Sequence, residues 1–323
     1  MDQRHRTAQV GDGPFAEGLL DVGGGQQVAW RCHGNPSGTP ALVVHGGPGS
    51  GARALSWTPL FDLARYRVVL VDQRGCGGST PDAGHVTTDL SLNTTAHLVA
   101  DFEEVREHLG IERWVLLGAS WGATLAQAYT AAHPDRVRAV VLFSVTCGER
   151  RDIDWIVTAM RRLIPAAWER FAEAAHAAPG ERLLDAYARL LADPVTQRDA
   201  AWAWCAYEDG HTAIGGGPAP TETLAHAEPE FRARFARLVT HYWRHDCFLP
   251  DGALLAAARG HDGIPAVLVH GERDISSPPD VAWELARAWR GARLHLVGDE
   301  GHGAPARTRA LVRAATDDVA DGG

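Results

Sequence analysis

The sequence predicts an α/β fold: a doubly wound, mostly parallel sheet with a helical segment inserted in the second half of the chain. Two observations carry that expectation. Short β-branched runs alternate with helix-spaced apolar patterns as far as Ser144, and after an interruption the alternation resumes at Pro265. Strands separated by helices pair in parallel and are buried on both faces. The 323 residues suffice for one large domain or two modest ones, since single cores stop growing near ~250–300 residues.

The elements follow in order. Ala41–Val44 and Arg67–Val71 are β-branched runs that end in Gly-rich or polar turns. Leu92–Leu109 repeats apolar residues at Leu98, Phe102, Val105 and Leu109, a helical spacing. Trp114–Leu117 reads as a strand, Thr124–Ala132 as an Ala-rich helix closed by His133-Pro134, and Arg138–Phe143 as a further strand. From 147 to 261 the pattern is helical and rich in Arg, Ala and Trp, with one loop at Gly215–Pro220. Strand Pro265–His270, helix Val281–Trp289 and strand Ala292–Val297 then restore the rhythm. The division expected is an α/β domain of residues 1–146 and 262–323 around a helical cap, residues 147–261. The Asp/Gly-rich end, Asp317–Gly323, reads as frayed.

Composition removes several classes of function. Hydrophobic content of 45% and charged content of 22% are ordinary for a globular chain, which excludes disordered, collagenous and coiled-coil readings. A net charge of -9 argues against a nucleic-acid partner, because phosphate backbones demand a basic face. No apolar run approaches the ~20 residues of a membrane span. Residues 1–10 are polar, with Arg4 and Arg6 and no apolar stretch behind them, so no signal peptide is read and a cytoplasmic location is expected. Five scattered cysteines form no CxxC pair, so no disulfide framework or zinc ribbon is indicated. Every one of the 31 basic residues is Arg, which excludes lysine Schiff bases and Walker-type phosphate loops.

The chemistry concentrates in a few segments. Gly118-Ala-Ser120-Trp-Gly122 lies between a strand and a helix, the setting in which G-x-S-x-G presents a nucleophilic serine on a strained turn. Such a serine needs an orienting acid and then a basic histidine, in that chain order. Asp274 follows the strand at 265–270, and His302 follows the strand at 292–297. Both fall at the carboxyl edge of the sheet, where open α/β folds place their sites. Glu272 and Asp299 compete with Asp274 less well by position, and His270 reads as a strand-end residue. Oxyanion donors are expected from the N–H of Trp121 and from Gly46, in the loop His45-Gly-Gly-Pro-Gly49 after the first core strand.

Taken together, HGGPG, Asp72-Gln-Arg-Gly-Cys-Gly-Gly-Ser79, GASWG, HGERD and EGHG resemble the proline iminopeptidase group of serine α/β-hydrolases. The resemblance spans most of the chain, the insertion included. It implies an α/β-hydrolase fold with an inserted helical cap and a cofactor-free, metal-free peptidase that removes N-terminal proline. Its implied partner is a small peptide or amide with a free amino or imino terminus. The family's W-x-x-W-E segment corresponds to Trp204-Cys-Ala-Tyr207-Glu208, which implies that Glu208 binds the charged nitrogen. Trp202, Trp204 and Tyr207 would then wall the ring, and Gly47 would complete the substrate contacts; read without the family, these aromatics are ordinary helical core.

One position departs from the pattern. Val239 stands where the family often carries a second cap glutamate, with Asp246 and Glu228 as acids that could compensate. That leaves two rivals open: an amide or ester hydrolase or acyltransferase acting on a specialised metabolite, and a non-catalytic receptor on the same fold. His241-x-x-x-His245 with Asp246 and Cys247 has helical spacing suited to a metal but forces no third ligand. Arg74 reads as structural and Cys76 as inert.

Overall fold

A computed structural model describes residues 13–215 and 223–321. Two strands precede the first expected one. β1 (Ala16–Asp21) and β2 (Gln27–Gly34) form an antiparallel hairpin, and β2 lies antiparallel to β4 (Tyr66–Val71). β3 (Thr39–Val44) pairs in parallel with β4 and with β5 (Trp114–Ser120). β6 (Val137–Val145), β7 (Ala266–Gly271) and β8 (Arg293–Val297) extend the sheet in parallel to the order β1-β2-β4-β3-β5-β6-β7-β8. The six residues of β3 and of β4 carry the β-branched and aliphatic side chains that such a doubly covered strand requires.

Two apolar layers flank the sheet. One gathers Leu42, Val69, Phe102, Trp114 and Tyr129, and it runs on into the inserted helices; the other gathers Val43, Leu70, Val115, Val141 and Val312. Alternate residues of each strand thus feed opposite layers. The crossover helices include α1 (Ala54–Trp57), α2 (Thr95–His108) and α3 (Trp121–Ala132).

Between β6 and β7 the described residues contain no strand. They form α4 (Arg150–Val157), α5 (Pro165–Ala174), α6 (Leu183–Leu191), α7 (Gln197–Thr212), α8 (Pro229–Arg244) and α9 (Ala253–Ala258). The expected loop at Gly215–Pro220 lies outside the described residues after Gly215. α10 (Pro279–Ala288) and α11 (Ala306–Asp321) complete the chain. α11 corrects the expectation of a frayed end over residues 317–321: Asp318 pairs with Arg293 of β8 at 3.3 Å, Asp321 pairs with Arg65 at 2.5 Å, and the Tyr66 hydroxyl donates to the Thr316 carbonyl at 2.5 Å. Those contacts anchor the acidic turn to the body of the fold. No helix among the described residues is long and apolar enough to cross a membrane.

Candidate active site

The site begins at the turn from β5 into α3. Ser120 adopts φ 54° and ψ -127°, a conformation that L residues rarely take, and it projects from the carboxyl edge of the sheet. The flanking glycines have a steric reason. A Cβ on Gly122 would stand 2.0 Å from the Val44 carbonyl oxygen, and one on Gly118 would stand 2.5 Å from that of Gly122. The turn is therefore tight enough to admit only hydrogen at both positions.

Two loops bring the other members. His302 Nε2 lies 3.1 Å from Ser120 Oγ, and its Nδ1 lies 2.8 Å from Asp274 Oδ2. Asp274 is 2% exposed and accepts the Ser277 N–H through its other oxygen at 2.9 Å. Carboxylate, imidazole and hydroxyl thus stand in line, with Nδ1–H donating to the acid and Nε2 left to accept from the serine. Burial by itself lowers the His302 pKa, but the Asp274 carboxylate, with Glu208 behind it, outweighs burial and leaves it raised. The His302 loop is fixed by Ser144 Oγ, which exchanges hydrogen bonds with the Gly303 N–H and carbonyl at 2.8 and 3.1 Å. Glu300 caps α11 by accepting the Arg307 and Thr308 N–H groups, both at 2.8 Å.

The competing residues sit elsewhere. Glu272 is exposed, and Asp299 pairs with Arg307 on the surface at 2.7 Å. His270 is buried and neutral: its Nδ1 accepts the Val145 N–H at 3.0 Å and its Nε2–H donates to the Ser277 carbonyl at 2.9 Å. Arg74 forms a buried two-point pair with Asp101 at 2.6 and 2.7 Å. His241 donates to the Asn93 carbonyl at 2.9 Å, and His245 bonds to the His241 carbonyl.

The glycine loop after β3 closes against the elbow. A Cβ on Gly46 would lie 3.0 Å from the Ala119 carbonyl oxygen and 3.4 Å from Ser120 Cβ. Neither Gly46 nor Gly47 donates its N–H to any group among the described residues. Gln73 ties three motifs together. It donates to the His45 carbonyl at 2.8 Å, its N–H reaches His45 Nε2 at 3.1 Å, and its side-chain oxygen accepts the Trp121 indole N–H at 2.9 Å. Asp72 braces the same loops by accepting the Ala52 and Gly78 N–H groups at 2.7 and 2.9 Å. HGGPG, DQRG and the tryptophan after the serine are thus one hydrogen-bonded unit.

Ser120 and His302 open into a cavity of 60 Å³ that Gly47, Trp121 and Glu208 also line. Glu208 is 8% exposed, and its Oε2 lies 3.2 Å from His211 Nε2. His211 is in turn 2.7 Å from Ser276 Oγ through Nδ1. Gly46 lines a larger groove of 950 Å³ with Arg53, Glu228 and Arg309.

Trp204 and Tyr207 stand apart from that cavity. Trp204 packs against Phe171, Tyr187 and Trp243 at centroid distances of 5.4, 5.0 and 5.8 Å. Tyr207 stacks on Phe171 at 4.2 Å and donates its hydroxyl to the Ile156 carbonyl at 2.6 Å. Both hold the inserted helices together, and Trp202 points outward, 53% exposed. The apolar wall of the cavity comes instead from Ile153, Ile156 and Trp243. Asp152 lines it too, one residue from Ile153 and four from Ile156 on α4. An acid set at i, i+4 spacing among isoleucines was the available sequence signal for that wall.

Comparison with known proteins agrees with this architecture. Residues 39–305 match the family described as the alpha/beta hydrolase fold. A probable proline iminopeptidase of Streptomyces coelicolor is 43% identical over 96% of this chain and 97% of its own. The proline iminopeptidase of Neisseria gonorrhoeae is 37% identical over 94% of this chain and 96% of its own. Among solved structures, a proline iminopeptidase from Mycobacterium smegmatis superposes with a TM-score of 0.66 over 95% of this chain and 99% of its own. An esterase from Rhodococcus sp. ECU1013 does so with 0.64, over 95% of this chain and 99% of its own. These two share 20% and 21% identity and speak for the fold alone. With a two-sided parallel sheet, an elbow serine at its edge and relatives of this similarity along nearly the whole length, the chain belongs to the proline iminopeptidase family of α/β-hydrolases.

Proposed function

We propose that this chain is a serine aminopeptidase that splits proline, or another small residue, from the free N-terminus of a peptide or amide through an acyl-enzyme. The observation that carries the reading is the line Ser120–His302–Asp274, at 3.1 and 2.8 Å, opening into the cavity that buried Glu208 lines. The cavity of 60 Å³ suits one small ring or short side chain.

The steps follow from the geometry. Ser120 Oγ attacks the scissile carbonyl carbon as His302 Nε2 takes its proton, and Asp274 steadies the imidazolium. The oxyanion is met by the Trp121 N–H at the start of α3 and by a free N–H of the Gly46-Gly47 turn, preorganised donors worth ~3–4 kcal/mol each. The C–N bond breaks as His302 returns the proton to the leaving amine. Water, giving its proton to His302, then attacks the ester carbon, and Ser120 recovers its proton as the free amino acid departs. Glu208 holds the substrate's primary or secondary ammonium; a charged pair buried together rejects ligands that lack the charge. The helices of residues 147–261 act as the cap that carries this acid over the sheet edge. Five buried, free cysteines suit a reducing compartment, and the cytoplasm is the location this reading assigns.

Hydrolysis of prolyl-, alanyl- and N-acetylprolyl-arylamides and of a simple aryl ester tests the reading. Expected is fast cleavage of the free prolyl compound, lost on acetylation and lowered by about five orders of magnitude or more in Ser120→Ala. Turnover retained in Ser120→Ala would refute the nucleophile. Activity on the ester alone would refute the aminopeptidase assignment and favour a hydrolase of acylated metabolites.

A further inference from the structure

The cavity beside Ser120 carries more negative charge than the catalytic line requires. Asp152 sits in the first turn of α4 and, with Glu208, lines that cavity. Its Oδ2 accepts the Glu149 N–H at 3.3 Å, and its Oδ1 lies 3.7 Å from the Arg151 guanidinium, beyond hydrogen-bond reach. That guanidinium is already engaged, at 2.8 Å by Glu149 and at 2.5 Å by Glu284. Asp280 adds a further negative charge from α10. Cys147 and Cys247 are titratable neighbours too, and burial pushes both thiols up, so they remain neutral; His211 and His302 share the cavity lining.

One cation therefore serves several acids, and the cavity carboxylate is the one it serves least. Burial first, and then repulsion from Glu149, push the Asp152 carboxyl up to about 6, as expected of a buried acid short of a counter-charge. Nothing else among the described residues supplies a second acid to this cavity. Val239 is fully buried in the apolar core, Asp246 pairs outward with Arg150 at 2.6 Å, and Glu228 lines the larger groove beyond Gly46.

We propose that Asp152 is a second specificity-determining carboxylate of the amine subsite and, together with Glu208, selects ligands whose terminal nitrogen is protonated. This rests on the aminopeptidase reading above. A bound ammonium supplies the counter-charge that Arg151 withholds. An N-acetylated ligand leaves buried Glu208 and half-buried Asp152 facing a neutral amide, and that mismatch is the source of discrimination.

Binding measured by calorimetry on Ser120→Ala, which does not consume its ligand, tests this. Prolyl-arylamide and its N-acetyl counterpart are compared from pH 5 to 8, with and without Asp152→Asn; Asn keeps an oxygen that can accept the Glu149 N–H. An acid with a raised pKa is neutral below about 6 and charged above it. Affinity for the free amine should therefore fall as pH drops through that region. Asp152→Asn should erase the step and cut the ratio of free to acetylated affinity at least ten-fold, a readout that loss of fold would not mimic. If the ratio and the step survive in Asp152→Asn, the assignment to Asp152 is wrong while the aminopeptidase reading stands. If Ser120→Ala itself binds both ligands equally, no amine subsite exists and both fall together.

Discussion

Asp274 governs His302 through a single contact. Burial alone raises the Asp274 carboxyl, yet the charge and hydrogen bond of His302, with the Ser277 N–H, hold it below its ordinary value. It therefore stays a carboxylate and an acceptor throughout the working range. Asp274→Asn would place an amide against Nδ1 and favour the wrong imidazole tautomer, so kcat should fall by about four orders of magnitude. The raised pKa of His302 owes most to Asp274 among the groups that raise it. As the general base must be neutral, the acidic limb of kcat/KM should move to lower pH in Asp274→Asn. A pH–rate profile checks this, and an unmoved limb would deny the contact its electrostatic role. At this scale the Ser120–His302–Asp274 line was legible because each member sits at or just after the end of a strand of apolar pattern. Asp152, His211 and Ser144 were not, since their importance arises only when segments far apart in sequence converge. Trp204 and Tyr207 were read as a substrate wall because spacing alone does not tell which side of an aromatic helix faces a ligand.

The elements differ in how firmly local pattern dictates them. The elbow is dictated by contact. Gly122→Ala would drive a methyl to 2.0 Å from the Val44 carbonyl, so the variant should fail to accumulate as folded protein, as circular dichroism or solubility would reveal. In the helical insertion, Trp204 is 1% exposed in its cluster with Phe171, Tyr187 and Trp243. Trp204→Ala should cost about 3–5 kcal/mol in denaturant unfolding. It should leave the ratio of free to acetylated substrate turnover unchanged; a selective loss on the free amine would return Trp204 to the substrate wall. The core strands were legible because burial on both faces demands continuous β-branched runs. β1 was hidden by its half-buried alternation around Gly18, and β2 by Arg31 and His33 within its span. α11 was hidden by the acids of its last turn, whose ionic partners Arg65, Arg293 and Arg313 are unreadable from local sequence.

Across the whole molecule, the sheet edge carries the Ser120–His302–Asp274 line and the helical insertion carries Glu208 and Asp152. The two are joined at several points. Trp155 donates to the Ile275 carbonyl at 2.7 Å, Arg234 pairs with Asp82 at 2.7 Å, and the Thr95 hydroxyl donates to the Cys247 carbonyl at 2.5 Å. With His211 of α7, bonded to Ser276 Oγ at 2.7 Å, these contacts hold α4, α7 and α8 at the sheet edge, so Glu208 and Asp152 reach the cavity without belonging to the sheet. The strand rhythm stops where the described residues between β6 and β7 form helices, but which of their faces meets the site was not legible, because that depends on how six helices pack. Labelling with a fluorophosphonate, followed by peptide mapping, tests chemistry and recognition together. The account predicts a single adduct on Ser120, slowed by prolinol, which bears a free imino group, and not by N-acetylprolinol. No adduct on Ser120, or equal protection by the two compounds, would contradict it.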